Sequence, residues 1–195
     1  MMIDPIERWL DAGNSIVVAP GWRGSGDEHW QTRWCEQYPE LIRVEQRDWD
    51  NPRAAEWVAG LEKTLDHAPG RTVLVAHSLG CVTVGHWSAL TRRAHQISGA
   101  LLVAPADVTR DEAPDSFQGF MPLPARPLPF PSVVVASDND PTCTLDRATA
   151  LAATWGSELV PLSGVGHINV DSGHGDWPVG VKLLRQLVRK LGRMN

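Results

Sequence analysis

A serine, a histidine and an aspartate on one chain can carry out acyl transfer if the fold brings them together, and this sequence offers a candidate for each role. Ser78 closes Arg71-Thr-Val-Leu-Val-Ala-His-Ser-Leu-Gly80, an apolar run leading into Ala76-x-Ser78-x-Gly80. A serine on a sharp strand-to-helix turn presents its hydroxyl as a nucleophile must. Ala76 stands where the G-x-S-x-G pattern has glycine, and Ala is the smallest substitute that still fits close to backbone. Taken alone, the motif equally suits a serine that only caps the following helix.

A serine hydroxyl is a poor nucleophile at neutral pH, so it needs a base, and the base needs an acid to fix its tautomer. Among seven histidines, His167 in Val165-Gly-His-Ile-Asn169 follows the last expected strand, at the end of a parallel sheet where ligands bind. Gly166 before it frees the chain to aim an imidazole inward. His67, His86 and His95 fall in helical or polar segments, His29 starts a helix, and His77 reads as shaping the turn beside Ser78. His174, in the polar Asp171-Ser-Gly-His-Gly-Asp176, is the competitor for the base. The acid falls in Ala136-Ser-Asp-Asn-Asp-Pro141, where Asp140, deeper in the turn and stiffened by Pro141, is preferred to Asp138. Asp138 suits hydrogen bonding to backbone amides, and Asp107 ranks third.

An oxyanion formed on attack needs N–H donors already in place. The Leu79 N–H, at the start of the helix, and the Trp22 N–H, in the loop Gly21-Trp-Arg-Gly-Ser-Gly-Asp27, are the candidates. The chemistry expected is attack by Ser78 on an ester or related acyl carbonyl, with His167 moving the proton and Asp140 remaining ionised. Water then releases the acyl group.

The elements that must position these groups follow from apolar patterning. Ser15–Ala19, Thr72–Ala76, Gly99–Ala104 and Pro131–Ala136 are apolar runs without polar alternation, the mark of strands buried on both faces. Leu41–Gln46 and Glu158–Leu162 read as weaker strands. Helical spacing falls on residues 5–12, 28–37, 52–67, 79–94, 144–154 and 177–191. The alternation predicts an α/β fold, a compact three-layer sandwich with a mostly parallel sheet, helices on both faces and no large cap domain. Residues 107–131, with prolines at 114, 122, 124, 127, 129 and 131, read as a solvated crossover in preference to a lid. With 195 residues and 43% hydrophobic content the chain can bury the core of a single domain over 1–195, with 1–14 a short N-terminal extension.

Composition also excludes. A net charge of -5 with dispersed Lys and Arg leaves no basic field for nucleic acid. Cys35, Cys81 and Cys143, odd in number and far apart, fit neither a disulfide framework nor a cysteine zinc site, and they point to a cytoplasmic setting. No apolar run suits membrane insertion. Gly21, Gly24 and Gly26 miss the dinucleotide pattern and no phosphate-binding loop occurs, so no cofactor is expected. No metal is expected either: H-E-x-x-H is absent, and Asp171, His174 and Asp176 read as a solvated loop. The nine Trp read individually as ordinary packing.

Pro20-Gly21-Trp22 with His29-Trp30, Ala76-His77-Ser78-Leu79-Gly80, Ser137-Asp-Asn-Asp140-Pro141 and Gly166-His167-Ile-Asn169, in that order, resemble the small α/β-hydrolases related to retinoblastoma-binding protein 9 and the Bacillus YdeN hydrolase. The resemblance runs from Ile16 onward. It implies a minimal α/β-hydrolase with Ser78, Asp140 and His167 as its triad, and it supports Asp140 over Asp138. It implies esterase-like chemistry more firmly than any substrate. The Leu-x-Cys-x-Glu retinoblastoma-binding motif is not present. The partner expected is a small acyl-containing substrate. The competing functions are an interaction module with a vestigial nucleophile and a small peptidase, with thioester cleavage or acyl transfer as variants of the same chemistry.

Overall fold

The structure is a computed structural model, and it describes residues 3–193. The chain alternates helix and strand: α1 (Pro5–Asp11), β1 (Ser15–Ala19), α2 (Trp30–Gln37), β2 (Ile42–Arg43), α3 (Ala54–Asp66), β3 (Thr72–His77), α4 (Leu79–Leu90), β4 (Ile97–Val103), β5 (Ser132–Ser137), α5 (Leu145–Trp155), β6 (Glu158–Leu162) and α6 (Pro178–Gly192). The strands form one sheet in the order β2-β1-β3-β4-β5-β6. Every pairing is parallel, as expected where strands return through long crossovers, an α-helix in each case except between β4 and β5.

The lack of polar alternation in the strands has a direct cause: both sheet faces are covered. Val17, Ala19, Leu74, Ala76, Leu102 and Val134 point to one side, where they pack against Leu61 and Leu65 of α3, Val84 and Trp87 of α4, and Leu151 and Trp155 of α5. Ile16, Val18, Val73, Val75 and Leu101 point to the other, against Ile6 and Trp9 of α1, Trp30 and Trp34 of α2, and Leu184 and Leu191 of α6. Each such aliphatic side chain contributes about 1.5–3 kcal/mol relative to exposure. Ile6 and Trp9 therefore tie the first helix into the second core. α5 ends on Gly156, whose φ of 66° places it in the left-handed region that closes many helices.

Residues 107–131 are exposed over much of their length, as a solvated crossover should be, but buried aromatic and aliphatic side chains anchor the segment. A 3-10 turn, Asp115–Phe120, buries Phe117 and Phe120 against Trp57, Leu79, Val82 and Val108, while Leu128 and Phe130 join the main core. The prolines masked four apolar side chains whose spacing fits no regular element, so periodicity gave no signal. The tryptophans follow the packing expectation in most cases, since Trp9, Trp30, Trp34, Trp57, Trp87, Trp155 and Trp177 are buried. Trp22 and Trp49 are half-buried. Among the described residues no helix is long and apolar enough to cross a membrane.

Candidate active site

In a sheet of this order the chain reverses direction between β1 and β3, and ligands bind beyond the carboxyl ends of strands at such a point. Ser78 follows β3 there. Its φ of 53° and ψ of -121° lie outside ordinary L-residue regions, a strain of about 1–3 kcal/mol that surrounding structure must hold. The Ser78 N–H donates to the Val103 carbonyl at 3.0 Å on the neighbouring strand, which pins the turn. Ser78 precedes α4, yet its side chain makes no capping bond. The hydroxyl is directed instead to His167, with Oγ 2.9 Å from Nε2.

Glycine is required on both sides of this turn. A Cβ on Gly80 would lie 2.3 Å from the Ala19 carbonyl oxygen and 2.7 Å from that of Pro20, so α4 can cross β1 this closely only without a side chain. A Cβ on Gly21 would lie 2.8 Å from Ser78 Cβ and 3.4 Å from the Leu79 nitrogen. Ala76, by contrast, sits fully buried in the sheet core and is accommodated there.

His167 reaches Ser78 from the loop after β6. Gly164 and Gly166, at φ 70° and 58°, make the reversal that L side chains resist. The turn after β5 holds that loop. Ser163 Oγ donates to Asp138 Oδ2 at 2.7 Å and the Gly164 N–H to Asp138 Oδ1 at 2.8 Å, while the Gly166 N–H donates to Asn139 Oδ1 at 2.7 Å. The Ser163 hydroxyl, followed by the Gly164 amide, holds the Asp138 carboxyl below its usual range. Asp138 is thus an exposed anchor for the histidine loop.

Asp140 meets the imidazole itself. Its Oδ2 accepts from His167 Nδ1 at 2.9 Å, and Oδ1 lies 3.1 Å from the same nitrogen. Its side chain is only 2% exposed. The Thr142 N–H and hydroxyl donate to Oδ1 at 2.7 and 2.9 Å, and the Thr142 hydroxyl also lies 2.9 Å from His167 Nδ1. Asp107 is engaged elsewhere: burial pushes its carboxyl up, but the Thr109 hydroxyl and amide and the Arg147 guanidinium hold it low. His174 lies in a separate loop, its Nδ1 3.4 Å from Ser172 Oγ.

Two features of the base were not legible as such. His77 Nε2 lies 2.9 Å from the His167 carbonyl oxygen, and since a carbonyl only accepts, Nε2 carries the proton. Trp30 Nε1 donates to the next carbonyl, that of Ile168, at 2.8 Å, and so holds a residue with φ of 50°. The turn that presents Ser78 therefore also fixes the backbone of its base. Adjacency of His77 to Ser78 suggested turn shaping only; a contact 90 residues away leaves no local trace. Replacing His77 by Leu removes the donor and is expected to lower kcat by about 10–100-fold with little change in KM, because small misplacements of a catalytic group are costly. Gln, which keeps an N–H near Nε2, should restore most of the rate. Equal kcat values for wild type, His77→Leu and His77→Gln would remove this role.

His77 and His29 are both held neutral. Burial, then the neighbouring His167 and His29, pushes the His77 imidazole well below 6.5. Burial, then Arg43 and His167, takes His29 down to about 3. His29 Nδ1 accepts the Gln31 N–H at 3.2 Å, its ring packs 4.8 Å from that of His77, and its buried Nε2 has no protein partner among the described residues. The unfolded chain protonates near pH 6.5 and the folded chain does not, so this stability is complete above pH 6.5 and declines as pH falls toward 3. Urea midpoints should drop between pH 7 and 5, with His29 alone costing about 2 kcal/mol. His29→Asn should shrink the drop, and a flat profile over that interval would contradict the linkage.

The family model described as serine hydrolase matches residues 16–186. The chain belongs to the serine hydrolase family. A YdeN-like hydrolase of Pectobacterium atrosepticum shares 33% identity with this serine hydrolase over 96% of each chain, with a TM-score of 0.84. The ydeN gene product of B. subtilis is 19% identical, covering 89% of this chain and 98% of its own, at a TM-score of 0.71. Est1E of Butyrivibrio proteoclasticus shares the fold at 11% identity, with 93% and 88% of the two chains covered and a TM-score of 0.64. No curated protein sequence matches the chain significantly.

Proposed function

We propose that this serine hydrolase cleaves a small carboxylic ester, or a closely related acyl bond, through an acyl-enzyme on Ser78. The observation that carries this reading is the continuous chain Ser78 Oγ, His167 Nε2, His167 Nδ1, Asp140 Oδ2, with 2.9 Å at each of its two hydrogen bonds. In it Asp140 accepts the Nδ1 proton and so leaves Nε2 free to take the proton of Ser78. Ser78 Oγ attacks the acyl carbon as its proton moves to Nε2, and the tetrahedral intermediate collapses when Nε2 returns that proton to the leaving alcohol. Water then repeats the attack on the acyl carbon, loses its proton to Nε2, and frees the acid and Ser78.

We assign the oxyanion to the N–H groups of Trp22 and Leu79. Neither has a backbone acceptor among the described residues, although Arg23 and Gly24 beside Trp22 both do. The close approach of Gly21, which precedes Trp22, to Ser78 and to the Leu79 nitrogen supports pairing these two donors. The Trp22 ring, held by Nε1 donating to the Asp50 carbonyl at 2.8 Å and packed edge-on to Phe117 at 5.6 Å, walls this side. The three free cysteines support a reducing, cytoplasmic setting.

The substrate reading is tested with p-nitrophenyl acetate, butyrate and octanoate beside a panel of short peptides. Turnover of the short esters is expected. Peptide cleavage without ester turnover would make the protein a peptidase, and inertness toward both would favour an interaction module.

A further inference from the structure

Far from Ser78, at the opposite end of the central strands, lies a cavity of about 590 Å³ lined by Arg8, Trp9, Asn14, Arg71, Arg189 and Arg193 together with a few apolar residues, Val188 among them. Arg71 precedes β3 and Ser78 follows it, so the two ends stand about 20 Å apart at the rise of a strand. The volume falls in the range of small-molecule sites. Among the described residues no Asp or Glu lines the cavity, although the chain carries 23 acidic residues and is negative overall.

Of the eleven arginines elsewhere, seven, Arg23, Arg33, Arg43, Arg53, Arg93, Arg147 and Arg185, each meet an Asp or Glu, and Arg110 and Arg126 donate to backbone carbonyls; Arg47 and Arg92 meet no carboxylate among the described residues. The four at the cavity meet none among the described residues. Of their guanidinium N–H groups, one has a protein acceptor there, Arg71 Nε donating to Ser98 Oγ at 2.9 Å. The Arg71 guanidinium also lies over the Trp9 ring, 5.2 Å from its centroid, which fixes its position from two sides. Helix dipoles account for only part of this charge. α1 and α6 both end at the cavity, and each carbonyl end carries about -0.5 of a charge, so the four guanidinium groups leave a surplus of about +3.

A surplus of that size, on forked donors beside Trp9 and Val188, matches a dianion attached to an apolar or ring-shaped body. We propose that this cavity binds a small phosphate monoester, at a site separate from the acyl chemistry. The concave form favours a single small molecule over a flat lipid surface. Binding is independent of Ser78, so the proposal stands or falls apart from the esterase reading.

The test is calorimetric titration of the full chain with phenyl phosphate, inorganic phosphate and benzoate, each against sodium chloride of matched ionic strength. Phenyl phosphate should saturate one site, with inorganic phosphate and benzoate at least tenfold weaker. Arg8 and Arg189 are exposed and without protein partners among the described residues, so the double variant R8Q/R189Q should fold normally and bind phenyl phosphate at least tenfold more weakly. Ser78→Ala should bind as wild type does. Equal binding by the double variant, heats no different from sodium chloride, or benzoate as tight as phenyl phosphate would overturn the proposal. So would association with phosphatidylglycerol vesicles in the absence of phenyl phosphate binding.

Discussion

Asp140→Asn is expected to lower kcat for p-nitrophenyl acetate by about 10⁴-fold while Asp138→Asn lowers it less than about tenfold. The difference follows from what each carboxylate holds. Asp140 accepts the His167 Nδ1 proton and takes its other bonds from the Thr142 amide and hydroxyl. An amide at 140 can turn its NH2 toward Nδ1, which stabilises the tautomer with the proton on Nε2, where it can no longer accept from Ser78. Asp138 holds the hydroxyl of Ser163 and the main chain of Gly164, four and three residues before His167 in the same loop. Its loss loosens the loop, but Asn139 still accepts the Gly166 N–H and Trp30 still holds Ile168. Initial rates of the two variants separate these roles, and a larger loss in Asp138→Asn would reverse the assignment of the acid.

The sheet was legible because its strands are buried on both faces and so read as unbroken apolar runs; Thr72–His77 and Ser132–Ser137 fall within a residue or two of their expected places. Short β2 was overread, since the six residues from Leu41 to Gln46 yield only the two-residue pairing of Ile42 and Arg43 with β1. Pattern cannot show that an edge strand ends once its neighbour turns away. Ser78, Asp140 and His167 could be chosen because they stand at strand ends in the chain order of an α/β-hydrolase, and each role needs a particular side chain. The shell around them was hidden. Thr142, Trp30 and His77 act through hydrogen bonds that join distant parts of the chain, and none belongs to a residue type that demands such a role.

Glycine taught the same lesson at closer range. Ala76 looked like the irregular position of the motif, yet it lies harmlessly within the core. The backbone approach that excludes a side chain is at Gly80, beneath the Ala19 and Pro20 carbonyls, and at Gly21, against Ser78. A pattern of small residues does not say which of them carries the constraint until the crossing strand is in place.

Ser78→Ala should abolish ester turnover more completely than any other single change, by about 10⁵-fold or more, because the remaining His167 has no tethered nucleophile to activate. Removal of the hydroxyl also leaves nothing to acylate, whereas Asp140→Asn still presents an alcohol to the substrate. Intact-mass spectrometry after treatment with a fluorophosphonate, followed by peptide mapping, reads that hydroxyl directly. The prediction is one phosphonyl adduct per chain, mapped to Ser78, absent in Ser78→Ala and strongly slowed in an exchange of His167 for Ala. An unlabelled wild-type chain, or an adduct that persists in Ser78→Ala, would contradict a Ser78 nucleophile activated by His167.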